Sequence, residues 1–466
     1  MIYTSIASCL LDKVDIEQSK HTKKTQLIII TINIIIIMGG GASKAPFASV
    51  EEALAAGKTQ EEIDNYLKEN PPPAQKDISE LIAIDADPST AVYEDCIANN
   101  CNDLSDKCVA ITGTTGNGTG FHASVGAVRL KAKCLILLNR SSPRVQTCID
   151  KLKAIEGSNS TEIVSVECDL QSFESVKAAS AKVNEIATKY GGLDVLLNNA
   201  GVMGVPDTRT VDGYDVQMQT NHLSHFLLTL STMSSLENAA EARGEARVSQ
   251  HSSGARSKQR ATDGIGNLLP QYFNKAEKDA LGGGKGAFER YHQTKLANSV
   301  FMMALHKKLS AKGSKVKSVV AEPGVAGTDL AYNLARGHIK DGGAPPEKMA
   351  MMLGGMKKNY PGMQSAADGA ASLMTAGFGK DINSGDFLMP ADVPQIFKDG
   401  VEGAKPVAVG KAAKAITEGK ATPPSDHIKT RFEDEVLTLD EGNQTLLWDE
   451  SMKQIQSYLP ESYVAL

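Results

Sequence analysis

Tyr291 and Lys295 stand four residues apart in Tyr-His-Gln-Thr-Lys, a spacing that puts a phenol and an ammonium on one helix face. An unperturbed phenol, with a pKa of about 10, holds its proton too tightly for reversible acid/base work near neutrality. A neighbouring ammonium favours the phenolate, and a hydroxyl can bind an oxygen on which charge develops. Ser253, in His-Ser-Ser-Gly, supplies such a hydroxyl. Asn221, in Gln-Thr-Asn-His-Leu-Ser-His-Phe, falls in a predicted helix, where asparagine is unfavourable unless its side chain is needed. The set suits proton transfer to and from an alkoxide, the step that accompanies hydride transfer to a carbonyl. Tyr-x-x-x-Lys by itself is a weak signal in a chain with 11 tyrosines. Its position after Asn221, Ser253 and a glycine-rich turn makes the signal strong.

The elements that must hold these groups alternate between strands and helices from Lys107 onward, the pattern of a parallel α/β sheet. Cys108 to Thr112 reads as a strand. The turn Gly113-Thr-Thr-Gly116-Asn-Gly118-Thr-Gly120 follows and leads into a helix through Val128. Glycines let the backbone approach a pyrophosphate, and the free N–H groups at a helix start bind it. A second strand, Cys134 to Leu138, ends in Asn139-Arg140-Ser141-Ser142-Pro143-Arg144, with no carboxylate for the ribose diol of NAD. Arg140 first, and Arg144 second, are placed to pair with the 2′-phosphate of NADP. A third strand, Ile163 to Val166, places Asp169 at a carboxyl end where adenine could be contacted. A fourth apolar run, Leu193 to Leu197, leads into Asn198-Asn199-Ala200-Gly201 against the cofactor.

Composition is that of an ordinary soluble chain of 466 residues, 41% hydrophobic and 22% charged, with a net charge of −6 that argues against a nucleic-acid surface. Seven cysteines show no Cys-x-x-Cys pair, and no metal site is expected. Cys108, Cys134 and Cys168 read as small buried thiols on strands. The first residues do not read as part of the core. Leu27 to Ile37 is apolar but too short to span a membrane, so it is either the core of a targeting segment or untranslated upstream sequence. In the second case translation begins at Met38, and Gly39, with Ser43 following, fits a myristoylation pattern. Ser49-x-x-Glu52 and Thr59-x-x-Glu62 match capping boxes, predicting short helices over 49–56 and 60–69 before Pro71-Pro72-Pro73.

From about Lys107 to Gly400 the chain resembles the short-chain dehydrogenase/reductase family. The match rests on the turn Thr112 to Gly120, Asp169, Asn198-Asn199-Ala200-Gly201, Asn221, Ser253, Tyr291, Lys295 and Pro323-Gly324. The resemblance implies Asn221, Ser253, Tyr291 and Lys295 as catalytic. It implies Thr112, Gly113, Gly116, Gly118, Gly120, Asp169, Asn199, Ala200, Gly201, Lys295, Pro323, Gly324 and Thr328 as cofactor-binding, with Thr328 on the carboxamide. Lys295 would also hold the nicotinamide ribose, and Asn221 would anchor a water chain reprotonating the tyrosine. The long insert between Ser253 and Tyr291, and Trp448 in Leu-Leu-Trp-Asp-Glu-Ser, resemble the retinol-dehydrogenase-like branch. That branch includes WW-domain oxidoreductases and is close to light-dependent protochlorophyllide reductases. No WW domain is visible, and the absence of a cysteine near or after Tyr291 disfavours the latter. Two departures stand out. The glycine turn is a residue longer than the family spacing, and His251 occupies a usually apolar place, where it reads as a structural histidine.

The expected fold is a Rossmann-type doubly wound parallel α/β sheet with a small helical N-terminal appendage and a C-terminal helical tail. The expected divisions are 1–38 outside the core, 39–72 appendage, 73–106 linker, 107–400 dinucleotide-binding domain and 401–466 tail packing on it. The expected function is NADP(H)-dependent oxidoreduction of a small apolar carbonyl or alcohol. The rival is an NADP-binding scaffold or redox sensor at a membrane with vestigial catalysis. Substrate selection is expected from Arg256 to Arg290 and from Ala331 to Gln364, whose Met349, Met351, Met352 and Met356 could adapt to an apolar ligand. The expected partners include no nucleic acid; a membrane surface reached through acylated Gly39 and a second copy of the chain remain open. The expected location is cytoplasmic, membrane-attached if Gly39 is acylated, with import into an organelle as the alternative.

Overall fold

A computed structural model describes residues 59, 62, 90–205, 207–256, 267–276, 283–330, 364–390, 405–409 and 437–466. Leu27–Ile37, Gly39, most of the two N-terminal helices and Met349–Met356 lie outside the described residues. The chain divides into two units, 1–81 with 340–342, and 82–339 with 343–466. In the first, Thr59 and Glu62 make the reciprocal bonds of a capping box: Glu62 N–H to Thr59 Oγ1 at 3.2 Å and Thr59 N–H to Glu62 Oε2 at 2.9 Å.

The second unit is built on eight parallel strands: β1 (Cys108–Thr112), β2 (Cys134–Asn139), β3 (Glu162–Glu167), β4 (Val195–Asn198), β5 (Ala246–His251), β6 (Val316–Ala321), β7 (Asp386–Pro390) and β8 (Lys405–Val409). Their spatial order is β8-β7-β6-β5-β4-β1-β2-β3. The chain winds outward from β1 to β3, then returns past β1 to β4 and continues the other way. The strand order therefore reverses between β1 and β4, where a doubly wound sheet opens its ligand crevice.

Side chains of β1 alternate between two cores. Cys108 and Ala110 face one, Val109 and Ile111 the other, and all are fully buried. That two-sided burial explains why the strands read as unbroken apolar runs. Packed on one face are α4 (Phe173–Thr188), α5 (Val216–Arg243), α6 (Gly283–Ala311) and α8 (Glu441–Ile455). Helix α5 runs from Val216 to Arg243 with a π turn at Gln219–Leu223. The other face carries α1 (Ala91–Asp95), α2 (Thr119–Arg129), α3 (Pro143–Lys153) and α7 (Ala366–Phe378).

Three differences from the sequence reading have physical causes. Cys168 lies one residue past β3, although it is buried. The end of the segment read as a linker is part of the core: Tyr93, Cys96, Cys101 and Leu104 are buried, and Tyr93 is tied by its N–H to Asp368 at 2.9 Å and by its hydroxyl to the His122 carbonyl at 2.8 Å. In the segment read as a tail packing on the domain, β8 joins the sheet itself, while α8 packs on the domain through Leu447, Trp448 and Ile455. The Trp448 ring meets Phe226 of α5 and Phe301 of α6. No described helix is long and apolar enough to cross a membrane.

Candidate active site

The glycine turn leaves β1 at the switch point. Gly113 has φ of +70°, and a Cβ there would press on Ala200 at 2.8 Å, so only glycine lets this turn meet the residues after β4. Gly120 likewise lies against the Gly113 carbonyl and the Asn199 amide. Gly118 is different. It is the N-cap of α2, and the space beside its Cα is open. The approach to the free N–H groups of the helix start is thus open at Gly118. This bears directly on the extra residue in the turn.

Thr112, Asn199 and Ala200 are locked together. Thr112 Oγ1 accepts the N–H groups of Asn199 and Ala200, both at 2.9 Å, and lies 2.9 Å from His225 Nε2. His225 Nδ1 lies 3.0 Å from the Asn221 carbonyl, which can only accept. Nδ1 therefore carries the proton and Nε2 accepts from the Thr112 hydroxyl. Burial lowers the His225 pKa to about 4 and keeps this imidazole neutral. The glycine turn and the helix bearing Asn221 are thus joined by one buried hydrogen-bonded chain.

Asn221 sits in the π turn, a helix defect that often marks functional positions. Its side chain exchanges bonds with the Val202 backbone, at 2.8 and 2.9 Å, and donates to Thr294 Oγ1 at 2.9 Å. Its carbonyl also accepts from Asn298 at 2.7 Å. Gly201 lies between Asn221 and Lys295, whose atoms are 3.2 and 3.6 Å from the position of an added Cβ. Tyr291 is 2% exposed and Lys295 5%. Burial pushes the Tyr291 phenol up to about 12, while the Ser253 hydroxyl beside it pulls it down. Burial lowers Lys295 to about 7. Its ammonium donates to the His251 carbonyl at 2.8 Å and lies 5.7 Å from the centre of the tyrosine ring. The sequence alone suggests an ammonium that depresses the phenol. In the protein alone, desolvation of both groups outweighs that attraction.

Two buried ion pairs hold the surrounding backbone, and neither is visible in the motifs. Arg256 and Glu322, both fully buried, pair across the site, and the guanidinium also donates to the Ser253 carbonyl at 2.9 Å and lies 4.5 Å from the centre of the Phe387 ring. This links the Ser253 loop to Pro323-Gly324. Arg290, next to Tyr291, donates to Asp215 at 3.0 Å, and Asp215 caps α5 by accepting from Met218 N–H at 2.9 Å. The helix bearing Tyr291 is thereby fastened to the start of the helix bearing Asn221.

The residues expected at the adenosine end are less uniform. Arg140 is exposed beyond β2. Arg144, in the first turn of α3, pairs with Asp329 at 2.6 Å, and Asp329 also accepts from Asn117 N–H at 3.2 Å. This bridge lies over Gly116. Asp169 forms a local turn, accepting from Gln171 N–H at 3.0 Å. Pro323, Gly324 and Thr328 follow β6, with the Pro323 carbonyl accepting from Gln364 at 2.8 Å and Thr328 N–H bonded to Ala326 at 3.0 Å. Among the described residues, no group of three or more His, Cys, Asp or Glu side chains gathers as a metal site.

A short chain dehydrogenase family model matches residues 107–262. A short-chain dehydrogenase/reductase of Armillaria gallica is 31% identical over 238 residues, 51% of this chain and 71% of the relative. The chain belongs to the short-chain dehydrogenase/reductase family. Human polyprenol dehydrogenase is 32% identical over 225 residues, covering 48% of this chain and 62% of that protein. Human retinol dehydrogenase 13 is 30% identical over 232 residues, covering 47% and 61%. The matched stretch spans less than two thirds of either human relative. Within the family the likeness falls on the retinol-dehydrogenase-like branch.

Proposed function

We propose that this short-chain dehydrogenase/reductase is an NADP(H)-dependent oxidoreductase acting on an apolar carbonyl or alcohol. The observation that carries the reading is the gathering of Asn221, Ser253, Tyr291 and Lys295 beside the glycine turn. When bound, the nicotinamide supplies or accepts the hydride. With a pKa near 12, Tyr291 keeps its proton at neutral pH and is ready to protonate an alkoxide. Ser253 holds the oxygen as charge develops on it. An anion in the crevice would favour the charged form of Lys295, and that charge would then draw the phenol pKa down and make the transfer reversible.

Arg140, and the lack of a carboxylate after β2, support NADP over NAD. Relatives named as dehydrogenases of polyprenol and retinol support an apolar alcohol as the substrate class. Acylation at Gly39 would add weak, reversible membrane attachment, and intact mass spectrometry of the native protein tests it. The deciding experiment follows NADPH absorbance with a panel of aldehydes, ketones and quinones of rising chain length. Turnover that rises with apolar length supports the reading. Tight NADPH binding without turnover on any substrate would instead favour a cofactor-binding scaffold.

A further inference from the structure

His251 ends β5 with its imidazole buried between the Asn199 side chain and the start of α2, 6% exposed, and none of the roles above uses it. Its ring can be assigned a proton. Asn199 donates through Nδ2 to the carbonyls of Thr112 at 2.9 Å and Gly113 at 3.2 Å, which fixes its Oδ1 as the atom facing the other way. That Oδ1 accepts from Thr119 Oγ1 at 2.8 Å and lies 3.0 Å from His251 Nδ1. An amide oxygen only accepts, so Nδ1 bears the hydrogen. Burial holds the His251 pKa far below its usual value, at about 3, so the ring carries one proton, already committed to Asn199. Nε2 is therefore a bare lone pair. It is buried and has no partner among the described residues. The imidazole is bracketed by Thr119, the first residue of α2, and by Lys295, whose ammonium sits on the His251 carbonyl.

We propose that His251 Nε2 accepts a hydrogen bond from the nicotinamide nucleoside half of the bound cofactor, either a ribose hydroxyl or the carboxamide N–H. Phosphates are poor candidates, because near neutral pH they bring acceptors to a site that needs a donor. The inference rests on the nicotinamide-cofactor reading above. It assigns a binding role to a residue that motif reasoning treats as structural.

The test is a fluorescence titration of the full chain with NADPH. His251→Val keeps a β-branched residue at the end of the strand and removes the acceptor, and should weaken NADPH binding about tenfold. His251→Gln, which retains an acceptor oxygen, should recover most of the loss. Binding of the adenosine bisphosphate half alone should be unchanged in both. Equal weakening of that fragment would mean that His251 only holds the turn, and the proposal fails. With the 3-acetylpyridine analogue, whose carboxamide N–H is gone, a tenfold difference that persists assigns the ribose hydroxyl, and one that vanishes assigns the carboxamide. A second measurement needs no substitution: the Nε2 nitrogen resonance of His251 should move upfield on NADPH saturation, and an unmoved resonance overturns the proposal. If wild type binds neither NADPH nor NADH, the cofactor reading itself is wrong. If wild type binds and His251→Val binds as well, only the role of His251 is wrong.

Discussion

Acid should unfold this protein well before its carboxylates are neutralised. His222, His225 and His251 are all buried, and burial holds their pKa values at about 3, 4 and 3. In the unfolded chain each returns to about 6.5. Between those limits the unfolded state binds more protons than the folded one, so stability is fully present above pH 6.5 and declines as the pH falls. One pH unit corresponds to about 1.4 kcal/mol per group. At pH 5, a unit and a half below 6.5, each histidine withdraws about 2 kcal/mol and the three together about 6 kcal/mol. That compares with a total stability of about 5–15 kcal/mol for an ordinary domain. Urea unfolding at pH 7.5, 6 and 5 should show the midpoint dropping steeply over this range. His222→Leu removes the histidine surrounded by Phe226, Phe273 and Phe301 and bonded to Ser451 at 2.8 Å. It should lower stability at pH 7.5 but flatten the slope by about a quarter, because His122, held at about 4 by burial, adds to the slope of the other three. A wild-type midpoint unchanged between pH 7.5 and 5, or a slope untouched by the substitution, refutes the reasoning.

Tyr291→Phe should reduce turnover by at least about a hundredfold while leaving NADPH affinity within a factor of about two, measured by steady-state kinetics and titration. Arg140→Ala should weaken NADPH binding much more than NADH binding, whereas Asp329→Asn, which releases Arg144 from its carboxylate, should strengthen NADPH selectively; equal effects on the two cofactors in parallel titrations would count against both assignments. Arg290→Met leaves Asp215 buried without its guanidinium donor at 3.0 Å and should cost about 3–5 kcal/mol in denaturant unfolding, and a variant as stable as wild type would show that the pair does not fasten the two helices. Lys295→Met should remove a gain in stability that wild type shows as pH rises from about 7 towards the unfolded value of about 10.4, because the folded chain holds this amine near 7. Melts at pH 7.5 and 9.5 measure that difference.

The parts of the fold written in local pattern were legible in the sequence. Cys108–Thr112 is a strand with the bounds read from its apolar run, and the glycine turn opens a helix as its composition implies. The motifs that carry Asn221, Ser253, Tyr291 and Lys295 are equally local, and the structure brings these four side chains near one another. What escaped depends on partners far apart in the chain. Arg256 and Glu322 are separated by 66 residues, Thr112 and His225 by 113, and Arg144 and Asp329 by 185. No local periodicity announces such a pairing, and an arginine in a long insert looks like any surface charge until the fold buries it. The histidines show the same limit. Nothing in Asn-His-Leu-Ser-His distinguishes His225, which bridges Thr112 to Asn221, from His222, which packs among phenylalanines. The linker reading failed where Tyr93 and Leu104 found apolar partners that only the assembled sheet and α7 provide.

The docking of α8 on α5 and α6 has a consequence for synthesis. Leu447, Trp448 and Ile455 come after every strand of the sheet in the chain, yet they cover Phe226 and Phe301 on the helices that carry Asn221 and Tyr291. A nascent chain can pair β1 to β6 as they emerge, but the aromatic back of its site stays uncovered until α8 has been made and docks. Such an intermediate exposes apolar surface for the whole of that interval and is open to aggregation or chaperone capture. A chain cut before Leu437 would therefore keep Asn221, Ser253, Tyr291 and Lys295 in place and still be prone to aggregate.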